Sequence, residues 1–250
     1  TGSTPKNYMF DGSAGLYQAL GNTNVWLFPT QRRGGRMVHA LDVTTNTTPT
    51  LKWYKGCPNL DNDTGCTAGF DGIGQTWSVP VVTKIRGYSA TRPVLVFGGG
   101  YDACEDVKPT NVPLTDPPTW SCSSSKGRAV YVVDAEDGTL LKTFAITGLR
   151  GITAGISFVD VDNDGFSDYG YVADLGGAIY RLSFISGPAA ATPLLTADWT
   201  IKKIAYTDGK RKFMFSPAVT YGGKVTVSGT DVYSVYVALG SGDRERPLAA

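Results

Sequence analysis

The sequence predicts an all-β fold: a modified or incomplete β-propeller of four-stranded blades with disulfide-stapled loop insertions. Three observations predict it. Glycine is abundant at 31 residues, 13 tyrosines accompany frequent valine and threonine, and no long stretch sustains a helical period. A unit of glycine turn and apolar strand recurs at Gly35-Arg36-Met37-Val38-His39-Ala40-Leu41-Asp42, at Gly127-Arg128-Ala129-Val130-Tyr131-Val132-Val133-Asp134 and, more loosely, at Gly176-Gly177-Ala178-Ile179-Tyr180-Arg181-Leu182-Ser183. With its neighbouring strands, each unit makes four strands at a period of about fifty residues once insertions are discounted, which is the mark of a propeller blade. A β-sandwich would need closer and more even spacing.

In chain order, the strand pattern gives a partial blade ending near Tyr54, where Leu51-Lys52-Trp53-Tyr54 follows the first unit. A second blade spans roughly 76–145, from Thr76–Val82 through Val94–Phe97 and the second unit to Leu140–Phe144. A third spans 153–204, with Ile156–Val159 and Tyr169–Ala173 ahead of the third unit, and a last set of strands runs from Phe213 to Leu239. Propellers close with four to eight blades, and an open ring leaves unpaired edges. Residues 1–250 are therefore expected either to lack one or more blades or to meet a partner that closes the ring. Long inserts fall at 56–75 and 99–126. Thr1 in place of an initiator methionine agrees with an excised or processed piece.

The four cysteines form two sequence-local couples, Cys57 with Cys66 and Cys104 with Cys122, each enclosing a polar, turn-rich loop. Neither couple has the spacing of a zinc site, and His39 is the single histidine, so two disulfides and an oxidising compartment are expected. A long loop usually serves a function or is disordered, and a staple across 99–126 argues against disorder. Trp120 inside it is a candidate partner contact, whereas Trp26, Trp53 and Trp77 are expected in the core or at blade interfaces.

Charge is balanced, with 23 Lys and Arg against 22 Asp and Glu, so no general basic field offers itself to nucleic acid. No apolar run reaches membrane-spanning length. With one histidine on a strand, no Ser, His and Asp set can be assembled, and the chain reads as non-enzymatic.

One stretch carries specific chemistry. In Asp160-Val161-Asp162-Asn163-Asp164-Gly165-Phe166-Ser167-Asp168, acids stand at positions one, three, five and nine, with glycine at six. A Ca²⁺ ion takes six to eight hard oxygens, and this spacing folds them onto one centre. The expected ligands are Asp160, Asp162, Asp164, the carbonyl of Phe166, and Asp168. An EF-hand is excluded on two grounds: Tyr171 stands where the bidentate glutamate would be, and the flanks read as strands. A bare polar turn would have no use for four carboxylates that repel one another. The shorter Asp61-Asn62-Asp63-Thr64-Gly65 lacks the later acid and reads as a loop.

Five stretches together carry a family resemblance. They are Gly34-Gly35-Arg36 running into Ala40-Leu41-Asp42, Gly74-Gln75-Thr76-Trp77-Ser78-Val79-Pro80, Phe97-Gly98-Gly99-Gly100-Tyr101-Asp102, the calcium loop with Ala173-Asp174-Leu175-Gly176-Gly177, and Gly240-Ser241-Gly242-Asp243-Arg244-Glu245. In this order the chain resembles the C-terminal propeller domain of the PilY/PilC family, type IV pilus biogenesis factors and tip adhesins. The resemblance implies that residues 1–250 are a C-terminal propeller domain without its first blade or blades and an N-terminal region, borne on the surface of a Gram-negative bacterium at the pilus tip or outer membrane, facing minor pilins or other tip subunits and a host or abiotic surface. It also implies that calcium in this loop favours extended pili and that its loss permits retraction. The cysteine-stapled inserts are not carried over from the family. Two other propeller classes fit less well. A quinoprotein dehydrogenase needs a full ring and a second acid cluster, and an integrin-α-like module usually repeats its calcium hairpin.

Overall fold

The computed structural model describes residues 8–103, 125–145, 148–188, 192–209 and 211–242. The first four strands, β1 (Gly15–Gln18), β2 (Val25–Phe28), β3 (Arg36–Asp42) and β4 (Thr50–Cys57), form one antiparallel sheet in sequence order. A second comprises β5 (Val81–Thr83), β6 (Val94–Gly98), β7 (Val130–Asp134) and β8 (Leu140–Phe144), and a third β9 (Ser157–Val159), β10 (Tyr169–Ala173), β11 (Ala178–Ser183) and β12 (Thr200–Tyr206). The hairpin of β13 (Ala218–Val227) and β14 (Thr230–Ala238) follows. These are propeller blades, three with four strands and one with two among the described residues.

Burial explains the strand sequences. The middle strands β6 (VLVFG), β7 (VYVVD) and β10 (YGYVA) are buried throughout, because both faces of a blade pack on its neighbours. They are therefore continuously apolar. The outer strand β12 instead alternates exposed and half-buried positions. Apolar clusters fill the seams between blades. Trp26, Phe28, Val38 and Trp53 meet Leu95, Phe97, Tyr131 and Val133, and further on Val96 and Val132 meet Ile156, Tyr180, Leu182 and Trp199. Val219, Tyr221, Val235 and Val237 of the last hairpin pack on Val159, Tyr169 and Tyr171.

The first strands converge, β1 beside β5 and β13 beside β9. Hydroxyls stitch their entry segments together. Thr76 Oγ1 accepts the Gln31 and Arg32 N–H groups at 3.0 and 3.2 Å and donates to the Met37 carbonyl at 3.1 Å. Ser78 Oγ donates to the Ala154 carbonyl at 2.8 Å and accepts the Gly98 N–H at 2.9 Å. Ser157 Oγ donates to the Pro217 carbonyl.

Three expectations need adjustment. The partial blade ending near Tyr54 is a complete four-stranded sheet; β1 and β2 were illegible because each spans four residues and β1 leaves Leu16 56% exposed. The strand expected over 76–82 enters the ladder only at Val81, because Pro80 has no N–H and the hydroxyls of Thr76 and Ser78 bond to other blades. Trp26 and Trp53 are buried as expected, whereas Trp77 is only half-buried.

Cys57 and Cys66 are joined by a disulfide. Arg36, 3% exposed, organises that insert by donating to the carbonyls of Ile73, Asn62 and Asp71 at 2.7, 2.9 and 3.0 Å and to Asp63 Oδ1 at 2.8 Å. Cys104, Cys122 and Trp120 lie outside the described residues, as do Asp243 to Glu245. No helix among the described residues is long and apolar enough to cross a membrane.

Candidate metal centre

The acidic loop joins β9 to β10, which pair antiparallel with Val159 opposite Tyr169. The Asp168 N–H closes the hairpin on the Val159 carbonyl at 3.0 Å. Two residues turn the chain in the left-handed region, Asn163 at φ 58° and Gly165 at φ 87°. Open space surrounds Gly165, so the backbone angle rather than crowding calls for glycine there.

Backbone amides then orient the acids. Asp160 Oδ2 accepts the Gly165 N–H at 2.8 Å, Asp162 Oδ1 accepts the Asp164 N–H at 3.2 Å, and Asp168 Oδ2 accepts the Val161 N–H at 2.8 Å. Carboxylate oxygens of Asp160, Asp162 and Asp168 thereby lie within 4.8 Å of one another. Two oxygens on one calcium ion stand at most about 5 Å apart, so the three fit a single ion, and an all-oxygen donor set suits a hard cation. Tyr171, at the twelfth position, is buried on β10, in keeping with a strand-flanked loop.

Asp164 lies apart from this group. Its Oδ1 accepts the Phe166 N–H at 2.9 Å, and its Oδ2 is held by the Arg86 guanidinium at 2.6 Å. Arg86 also lies over the Phe166 ring, 4.3 Å from its centroid. Ser167 adds two bonds to the same neighbouring segment: its N–H donates to the Lys84 carbonyl at 2.8 Å, and its Oγ lies 2.6 Å from Thr83 Oγ1. The loop of the third blade is thus seated on the second. No sequence signal pointed to Arg86, which is 78 residues from Asp164.

The crowding shows in the acidities. Burial, with the charges of Asp162, Asp160 and Asp164, pushes Asp168 up to about 6 against the opposing Val161 N–H. Burial and the Asp164 charge likewise raise Asp162. Asp168 is 3% exposed, whereas Asp160 is half-buried and Asp162 exposed, so a cation at this point would neutralise one buried acid together with two at the surface.

A second acidic group, Asp63 with Cys57 and Cys66, has other partners. The cysteines form the disulfide, and Asp63 is bound by Arg36 and Lys126 at 2.8 and 2.7 Å. His39 lies on β3 with its ring against Phe10.

A family model, the PilY1 beta-propeller domain, matches residues 2–198. The chain belongs to the PilY1 beta-propeller family. The match takes in the first two blades, the acidic loop and most of the third blade. Among curated relatives, the type IV pilus biogenesis factor PilY1 of Pseudomonas aeruginosa is 24% identical over 239 residues, 94% of this chain and 16% of that protein. PilY1 of P. aeruginosa strain UCBPP-PA14 is 29% identical over 162 residues, 64% of this chain and 11% of that protein. The crystal structure of the P. aeruginosa PilY1 C-terminal domain superposes with a TM-score of 0.57 at 19% identity, over 88% of this chain and 41% of that one. The chain thus spans about a sixth or less of the curated PilY1 proteins it matches.

Proposed function

We propose that this chain is the calcium-binding propeller segment of a type IV pilus biogenesis factor, borne on the cell surface of a Gram-negative bacterium at the pilus tip or outer membrane. The observation that carries this reading is the convergence of Asp160, Asp162 and Asp168 within 4.8 Å on a hairpin seated against the next blade. Calcium would be held by these three carboxylates, with the Phe166 carbonyl and Asp164 completing the shell once Asp164 leaves Arg86. The ion supplies charge neutralisation and no redox or hydrolytic chemistry, so the role is structural and regulatory.

The residues of the chain do the rest. Without the ion, repulsion among the acids opposes the compact loop, while Arg86 neutralises Asp164. With it, the loop is fixed at both the β9–β10 hairpin and the seam to Lys84. At a hundredfold excess over Kd, binding favours this state by about 2.7 kcal/mol, enough to order a local surface but not to rebuild a propeller. A partner subunit, such as a minor pilin, reads that surface, and the pilus stays extended while calcium is bound. Surface adhesion belongs to the whole factor.

Calorimetric titration of calcium into the chain and into the Asp162→Ala variant tests the site. Pilus extension in cells carrying the same substitution in the full-length factor tests its role. Wild-type calcium affinity in the variant would end the site assignment, whereas lost affinity with normal extension and retraction would end only the regulatory reading.

A further inference from the structure

The segments that lead into β1, β5, β9 and β13 converge on one cavity of about 270 Å³, with Ser13, Trp77, Thr153 and Ser216 each contributed by a different segment. The cavity adjoins the entry end of β9, whereas the acidic loop leaves the other end of that strand. It is therefore a separate site.

Three features of its wall call for a ligand. Arg32 stacks its guanidinium 4.1 Å from the centroid of the Trp77 ring, and its charge meets no carboxylate among the described residues. Its backbone sits at φ 51°, a conformation that non-glycine residues avoid, held there by the bond from its N–H to Thr76 Oγ1. Thr153 is 4% exposed, and its buried hydroxyl has no hydrogen-bond partner, a state that folded proteins seldom leave uncorrected. Finally, Phe215 lies on the rim 62% exposed. The cavity lining thus has one cation, hydroxyls and apolar surface, and no acid.

We propose that this cavity binds a small carboxylate with an apolar or aromatic body. The planar Arg32 guanidinium, braced on Trp77, donates to the carboxylate, a pairing its fork geometry suits. The unpartnered Thr153 hydroxyl supplies a second donor to the same acceptor, and the body of the ligand lies against Phe215. A volume of about 270 Å³ limits the occupant to a small molecule.

Benzoate is the probe, titrated into the 250-residue chain while the Trp77 indole N–H resonance is followed, with Trp77→Phe assigning the signal. A saturable shift is expected, with neutral benzamide and inorganic phosphate each at least about tenfold weaker. Arg32→Gln should weaken benzoate by at least about tenfold. Thr153→Val should weaken it without lowering Tm, because the hydroxyl bonds to nothing in the free protein. Equal binding of benzamide or phosphate, unchanged affinity in Arg32→Gln, or no saturable shift would overturn the proposal. A lower Tm in Thr153→Val would overturn the part given to that hydroxyl.

Discussion

Arg86 of the second blade holds Asp164 of the third blade's acidic loop at 2.6 Å, so the one loop carboxylate that stands outside the converging group is held by a cation of the protein itself. On the proposed reading, a calcium ion that draws on Asp164 would compete with Arg86 for that carboxylate. Arg86→Gln should tighten calcium binding several-fold, because an exposed ion pair of this kind is worth at most about 1 kcal/mol. Calorimetry reads the change, and weaker binding in the variant would mean that Arg86 supports the calcium-bound loop instead.

Asp174, fully buried, binds four donors. Its Oδ1 accepts the Gly176 and Ala178 N–H groups at 2.9 Å each, and its Oδ2 accepts the Arg150 N–H at 3.0 Å and the Tyr180 hydroxyl at 2.9 Å. Asp174→Ala should cost about 3 kcal/mol or more in urea unfolding, since it strands several buried donors. Tyr180→Phe, which removes one of the four, should cost about 1 kcal/mol.

His39 is the single histidine, half-buried on β3, and burial lowers its pKa below the ordinary 6.5. The unfolded chain then binds more protons than the folded one as pH falls through 6.5, so this group's contribution to stability is present above that pH and lost below it. His39→Phe should remove that component. Tm measured against pH for both proteins, with the difference taken, checks it; an unchanged profile would contradict the burial argument.

Phe184 is 1% exposed in the seam between the second and third blades, with Phe144, Phe158 and Trp199 as ring neighbours. Phe184→Ala should destabilise by about 3–5 kcal/mol in chemical denaturation.

How much of this was legible in the sequence differs from element to element. The blades showed where a glycine turn led into a continuously apolar strand, as in Gly127–Asp134, because such strands are buried on both faces. The short first strands were not, since β1 shows half its side chains to solvent. In the acidic loop, spacing alone pointed to Asp160, Asp162 and Asp168, because a turn-forming glycine and alternating acids are local properties. It could not show that Asp164 would face Arg86, since that pairing depends on how two blades pack. The cavity at Arg32 and Thr153 was invisible for the same reason: its walls come from segments far apart in the chain.

The most direct measurement is calcium titration of the chain by calorimetry, with Asp162→Ala alongside. The wild type should show a single calcium site, with Tm rising as calcium is added, and the variant should lose both effects. Calcium affinity and a calcium-dependent Tm that persist unchanged in Asp162→Ala would contradict the calcium assignment.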